Sequence, residues 1–125
     1  MKKIFFLAGV LLTINGIAQA QLDQTKWKGR ILVPDEADGW LVFKKDTLEV
    51  FVSNGNSLLE TMAYTLVRDT LMLKKISGKS SCEASAVGKY KWAMNADNLL
   101  VTPISDDCEA RYKAWVNQPF VRQKD

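Results

Sequence analysis

The stretch CEASAVGKYKWAMNADNLLVTPISDDC, residues 82–108, decides the fold. Tyr90, Trp92 and Met94 alternate with Lys89 and Lys91, so apolar and charged side chains fall on opposite faces. A period of two is the mark of a half-buried strand. NADN, Asn95 to Asn98, is a turn signal. Leu99 to Ile104 then forms the return strand, with Pro103 near its end, where a missing N–H is tolerated. Residues equidistant from a hairpin turn lie opposite one another. Cys82 and Cys108 therefore meet just beyond the open end of the hairpin. They are the only two cysteines, so one intramolecular pairing exists. A disulfide closing a loop of this length contributes roughly 3–4 kcal/mol by chain entropy. The chain has no C-x-x-C pair, so the bond reads as a structural staple.

Outward from this hairpin the same alternation recurs. KWKGRILV, Lys26 to Val33, puts Trp27, Gly29, Ile31 and Val33 on one face and Lys26, Lys28 and Arg30 on the other. PDEADG, residues 34–39, reads as a loop by composition. Trp40 to Phe43 begins a second strand, KKD is a tight connection, and Thr47 to Ser53 alternates again. SNGNS, residues 53–57, is a turn. Residues 58–75 admit two readings. Ser57 and Glu60 fit a helix capping box, followed by a stripe of Leu59, Met62, Ala63 and Leu66. Thr61, Tyr64, Thr65 and Val67 instead favour strands, and TLVRDTLML reads as a hairpin around Arg68 and Asp69. Both stay open, with the hairpin preferred.

ISGKSS, residues 76–81, reads as a loop. In SDDCEARYKAWVN, Ser105, Asp106 and Asp107 are helix starters, and Tyr112, Trp115 and Val116 follow at i, i+3 and i+4. Phe120 and Val121 suit a last edge strand. Short strands joined by tight turns define an all-β fold. The expectation is an antiparallel up-and-down meander, closing into a small barrel of about eight strands with a short C-terminal helix.

The chain begins MKKIFFLAGVLLTINGIAQA. Lys2 and Lys3 precede a mostly apolar run that ends in Ala18-Gln19-Ala20, a small-x-small cleavage site. Residues 1–20 are thus expected to be a cleavable signal peptide of bacterial type, and residues 21–125 one secreted or periplasmic domain. The run is short of the ~20 residues of a membrane span, and none is expected in the mature chain. Cleavage lowers the formal charge from +3 to +1, because Lys2 and Lys3 leave. Near-neutral charge does not suggest a nucleic-acid partner. Histidine is absent, which removes the commonest metal ligand and the usual general base for a Ser or Cys nucleophile.

Several short motifs resemble a known family. Trp27 near Gly29 on the first strand, G-x-Y-x-W at Gly88, Tyr90 and Trp92, and D-x-C-x-x-R at Asp106, Cys108 and Arg111 are similar to small secreted lipocalin-like proteins of bacteria. These belong to the broader calycin group. The resemblance implies a lipocalin-like barrel in which Arg111 stacks over Trp27 and closes one end. Such a cation–π contact is worth ~0.5–2 kcal/mol.

Three functions follow for comparison. An eight-stranded barrel encloses room for side chains or one small ligand. The first reading is therefore non-enzymatic binding of a small apolar or amphipathic molecule, with Trp40, Phe43, Tyr64, Tyr90, Trp92 and Met94 as wall residues. The same aromatics could fill the barrel as plain core. The second is a protein-interaction or inhibitor domain with a side-chain-filled barrel, presenting Lys79 at the tip of ISGKSS. The third, an enzyme, lacks equipment: the sequence has no Gly-rich phosphate loop and no transition-metal set. Asp35-Glu36 and Asp106-Asp107 are paired carboxylates, but sequence neighbours need not converge on one substrate; Asp106 and Asp107 are better explained as helix N-terminal residues complementing the dipole, and Glu60 with Tyr64 matters only inside a pocket. No catalytic residue, metal or cofactor is expected.

Overall fold

The computed structural model describes residues 21–124. The expected signal peptide, residues 1–20, lies outside the described residues. Eight strands follow one another: β1 (Thr25–Leu32), β2 (Glu36–Phe43), β3 (Thr47–Val52), β4 (Ser57–Val67), β5 (Thr70–Gly78), β6 (Val87–Asn95), β7 (Asn98–Asp106) and β8 (Phe120–Gln123). A six-residue helix, α1 (Glu109–Ala114), stands between the last two. Each strand pairs antiparallel with the next, and β8 pairs back onto β1, so the meander is a closed barrel.

Residues 58–75 are the β4–β5 hairpin, with Val67 opposite Thr70 across Arg68 and Asp69. The helical alternative is overturned. Arg68 takes a positive φ of 58°, which lets the chain reverse within two residues. Ala96 does the same for the β6–β7 turn, where Asn95 faces Asn98.

Three boundaries differ from the sequence reading. β2 begins at Glu36 inside PDEADG, because the β1 ladder continues to Leu32↔Glu36. Arg30 crosses that ladder to bond Glu36 and Asp38, at 3.0 and 2.7 Å. β5 runs on to Gly78, so the loop after it is shorter than ISGKSS. β7 continues through Asp106, and helix α1 is capped at Cys108 rather than by Ser105–Asp107. The inward helix residue is Arg111; Tyr112 faces solvent. β8 is not a sheet edge, since both its sides are paired.

An up-and-down barrel has two ends, each holding alternate connections. One end carries the turns at residues 44–46, 68–69 and 96–97, and Leu22 is buried under it. The other carries the connections at 33–35, 53–56 and 79–86 and the helix. Inward side chains alternate along each strand, as on β2 (Gly39, Leu41, Phe43) and β6 (Gly88, Tyr90, Trp92). Read along the strands, large aromatics crowd the first end. Phe43 and Tyr64 meet edge to face at 5.1 Å. The Tyr64 hydroxyl donates to Lys44 O at 2.6 Å, and Trp92 Nε1 donates to Arg68 O at 2.9 Å. These bonds satisfy the polar tips of buried rings and plug the barrel there. The Cys82–Cys108 disulfide forms at the opposite end, with Cα atoms 5.4 Å apart.

Candidate functional site

The helix end of the barrel is not filled. A cavity of about 480 Å³ lies there, within the ~300–1,000 Å³ range of small-molecule sites. Its walls are the inward side chains one turn of the alternation short of the aromatic plug: Ile31, Leu41, Val50 and Met62. Ala110 and Ala114 of α1, and Trp115 just after it, come over the cavity, and Pro34, Lys79 and Ser80 stand at its margin. The wall is mostly apolar, with four ionisable side chains in its lining: Glu60 and Arg111, which are buried, and Lys79 and Lys113, which are exposed.

Arg111 is held rigidly. Its Nε donates to Asp106 Oδ2 at 2.7 Å, and its Nη2 donates to Asp106 Oδ1 at 2.8 Å and to Ala86 O at 3.0 Å. The Tyr90 hydroxyl also donates to Asp106 Oδ2, and the Cys108 N–H to Oδ1 at 2.8 Å. Burial opposes ionisation of Asp106, but the bonds from Arg111, Tyr90 and Cys108 outweigh it and hold the carboxyl below its usual range. Burial, and then the hydrogen bond to the Asp106 carboxylate, push the Tyr90 hydroxyl far above the ordinary tyrosine value. Gly88 makes room for this cluster: a Cβ there would lie 2.5 Å from Asp106 Oδ2 and 2.7 Å from Tyr90 Cε1. The G-x-Y spacing therefore has a steric cause.

Three residues of the cavity lining each carry a shielded side-chain atom with no hydrogen-bond partner: Glu60 Oε1, Arg111 Nη1 and Trp115 Nε1. Buried side-chain polar atoms are mostly hydrogen-bonded, so three together mark a place built for something polar. Glu60 is 4% and Arg111 6% exposed. Glu60 reaches the interior because it shares inward parity with Met62 and Tyr64 on β4. Trp115 is fixed by ring contacts with Tyr90 at 5.3 Å and Phe120 at 5.9 Å. Among the described residues, no three His, Cys, Asp or Glu side chains gather as a metal would require.

None of the six expected wall residues lines this cavity. Phe43, Tyr64 and Trp92 belong to the plug, with Met94 packed against the core there. Tyr90 lies beneath Trp115 and serves the Asp106 cluster. Trp40 is on the outer face, half-buried, with the Lys28 ammonium 5.1 Å from its ring centre. Alternation along β2 sends Leu41 and Phe43 inward and Trp40 out. The pairing of Arg111 with Trp27 is also corrected. The guanidinium over Trp27 is that of Arg122, at 5.4 Å, placed by the register Trp27↔Arg122 between β1 and β8. Arg111 is turned the other way by Asp106. Glu60 and Tyr64 do not share a pocket: the first lines the cavity and the second sits in the plug.

No family model matches the chain, and neither a curated protein nor a solved structure matches it.

Proposed function

We propose that this is a secreted, non-enzymatic carrier or scavenger of one small amphipathic molecule, bound in the cavity under α1. The observation that carries this reading is the mostly apolar cavity whose wall holds three buried polar atoms without partners. An apolar tail would bury against Ile31, Leu41, Val50 and Met62, gaining about 25 cal/mol per Å² removed from water. A polar head would meet the unpartnered atoms of Glu60, Arg111 and Trp115. Arg111 is bound on one side by Asp106, which leaves Nη1 without a partner; a guest would reach it by a small shift of the side chains that cover it. The disulfide accords with export to an oxidising compartment.

Mass spectrometry of the natively purified protein, before and after denaturing solvent extraction, tests the proposal. The expected result is a small molecule that is lost on denaturation and absent from Ala114→Trp, whose indole would occupy the cavity. A folded protein that arrives empty and takes up no aliphatic alcohol or amine in titration would overturn it.

A further inference from the structure

We infer that the cavity selects amphiphiles whose head is a primary ammonium, with Glu60 as the counter-charge. This rests on the cavity-binding reading above and narrows it to one chemical class.

The argument is one of charge accounting inside the barrel. Arg111 and Asp106 cancel each other through two hydrogen bonds, with side chains 4% and 0% exposed. Glu60 has no ion pair among the described residues, and its Oε1 accepts no hydrogen bond. Glu60 is therefore the one acidic side chain in the lining, and it has no basic partner among the described residues, whereas Arg111 and Lys113 are each paired with a carboxylate. An unpaired carboxylate away from water is costly, and a cation that donates an N–H to it removes most of that cost. The two lysines at the margin do not fill this role. Lys113 is exposed and paired with Glu109 at 2.7 Å, and Lys79 is exposed to solvent.

Glu60 is also poorly placed to escape. Gly78 packs so closely that a Cβ on it would lie 2.6 Å from Glu60 Cα, and the β4–β5 register shifts at the adjacent Thr61. The Lys79 N–H is bonded to Leu59 O at 2.9 Å, which fixes the backbone beside it. The backbone that carries Glu60 is thus fixed beside the cavity. A carboxylate head would find Arg111 Nη1, but that guanidinium is already neutralised, and Glu60 would repel it. A neutral alcohol would bond Oε1 without offsetting the charge. An N–H-bearing cation does both.

The test compares chain-matched guests on the disulfide-bonded protein by titration calorimetry: decylammonium, decanol and decanoate. The expected order is decylammonium tightest and decanoate weakest. Glu60→Gln keeps the shape of the side chain and is expected to weaken decylammonium by roughly tenfold or more, the worth of a charged hydrogen bond, while leaving decanol nearly unchanged. Lys79→Ala, which removes a cation from the margin, is expected to strengthen decylammonium binding modestly. Decanoate binding as tightly as decylammonium, or a preference for the amine that survives Glu60→Gln, overturns the assignment of the head while the cavity stands. Failure of all three guests to bind overturns the cavity reading itself. The ranking on the unaltered protein decides the matter even if Glu60→Gln fails to fold.

Discussion

Arg111 and Asp106 face each other as a two-pronged ion pair, Nε to Oδ2 at 2.7 Å and Nη2 to Oδ1 at 2.8 Å, with both side chains shut off from water. The pair ties α1 to the end of β7. It also anchors the Tyr90 hydroxyl, so one carboxylate fixes the helix, the strand and the ring packed against Trp115.

Removing one partner of such a pair leaves the other charge buried and alone, at a cost of ~3–5 kcal/mol. Asp106→Asn is expected to destabilise the protein by about that much in denaturant titration. Replacing both partners with apolar residues, Asp106→Leu with Arg111→Met, should cost less than Asp106→Asn. A double variant weaker than the single one would mean that the pair itself, rather than the orphaned charge, carries the stability.

The pH dependence follows from the directions of the shifts. The Asp106 carboxyl titrates lower in the folded protein than in the unfolded chain. Its contribution is complete above the unfolded carboxylate value of about 4 and is lost as pH falls through the folded value. Burial raises the Tyr64 hydroxyl to about 12. Its contribution is complete below the unfolded tyrosine value of about 10 and declines from there towards the folded value. Stability should therefore hold level between roughly pH 5 and 9. Tyr64→Phe should flatten part of the alkaline fall, and Asp106→Asn part of the acid fall, in melting curves taken across pH.

The Cys82–Cys108 bond joins the middle of the 79–86 connection to the N-cap of α1. It closes 26 positions of chain, worth roughly 3–4 kcal/mol. Cys82→Ser with Cys108→Ser should lower stability by about that amount. Because the helix covers the cavity, the same variant should lose guest affinity out of proportion to its effect on the aromatic plug. Titration of the unreduced, denatured protein with a thiol reagent should find no thiol.

Gly88→Ala should disrupt the Asp106 cluster, since its methyl would lie 2.5 Å from Asp106 Oδ2. Strain of this sort costs ~1–3 kcal/mol. A near-neutral result in thermal melting would show that Asp106 can retreat without loss.

Arg122→Ala removes the cation over Trp27 and is expected to cost ~0.5–2 kcal/mol. Arg122→Lys should recover part of it. An Arg122→Ala protein as stable as the parent would reduce this contact to proximity.

The hairpin from Cys82 to Cys108 was legible because alternation, turn and cysteines all pointed to one arrangement. Closure into a barrel followed from the number of short strands. The position of the cavity was not legible, for a physical reason. Alternation tells which face a side chain occupies, but not its height along the barrel axis, which depends on register. Phe43, Tyr64 and Trp92 were correctly placed on the inner face, yet they stack at one end and fill it. Glu60 did leave a signal: it stands two before Met62 and four before Tyr64, a carboxylate on the apolar parity of its strand. The capping-box reading with Ser57 competed with that signal. Arg122 and Arg111 could be told apart only by strand pairing and by the buried partner Asp106, neither of which is local in sequence.

The shortness of β8 has a consequence for how the barrel opens. Among the described residues it pairs with β1 only at Lys26–Lys28 and with β7 only at Asn98 and Leu99. Beyond those residues β1 and β7 are bridged by α1 and by the single Ile31–Trp115 bridge instead of a continuous ladder. Amide hydrogens along that gap should exchange with solvent by a local parting of helix from wall, while those of the β4–β5 and β6–β7 hairpins wait for global unfolding. The breathing seam runs alongside the cavity. A guest that bridges the wall and the helix would slow exchange there first, and so report its own arrival one amide at a time.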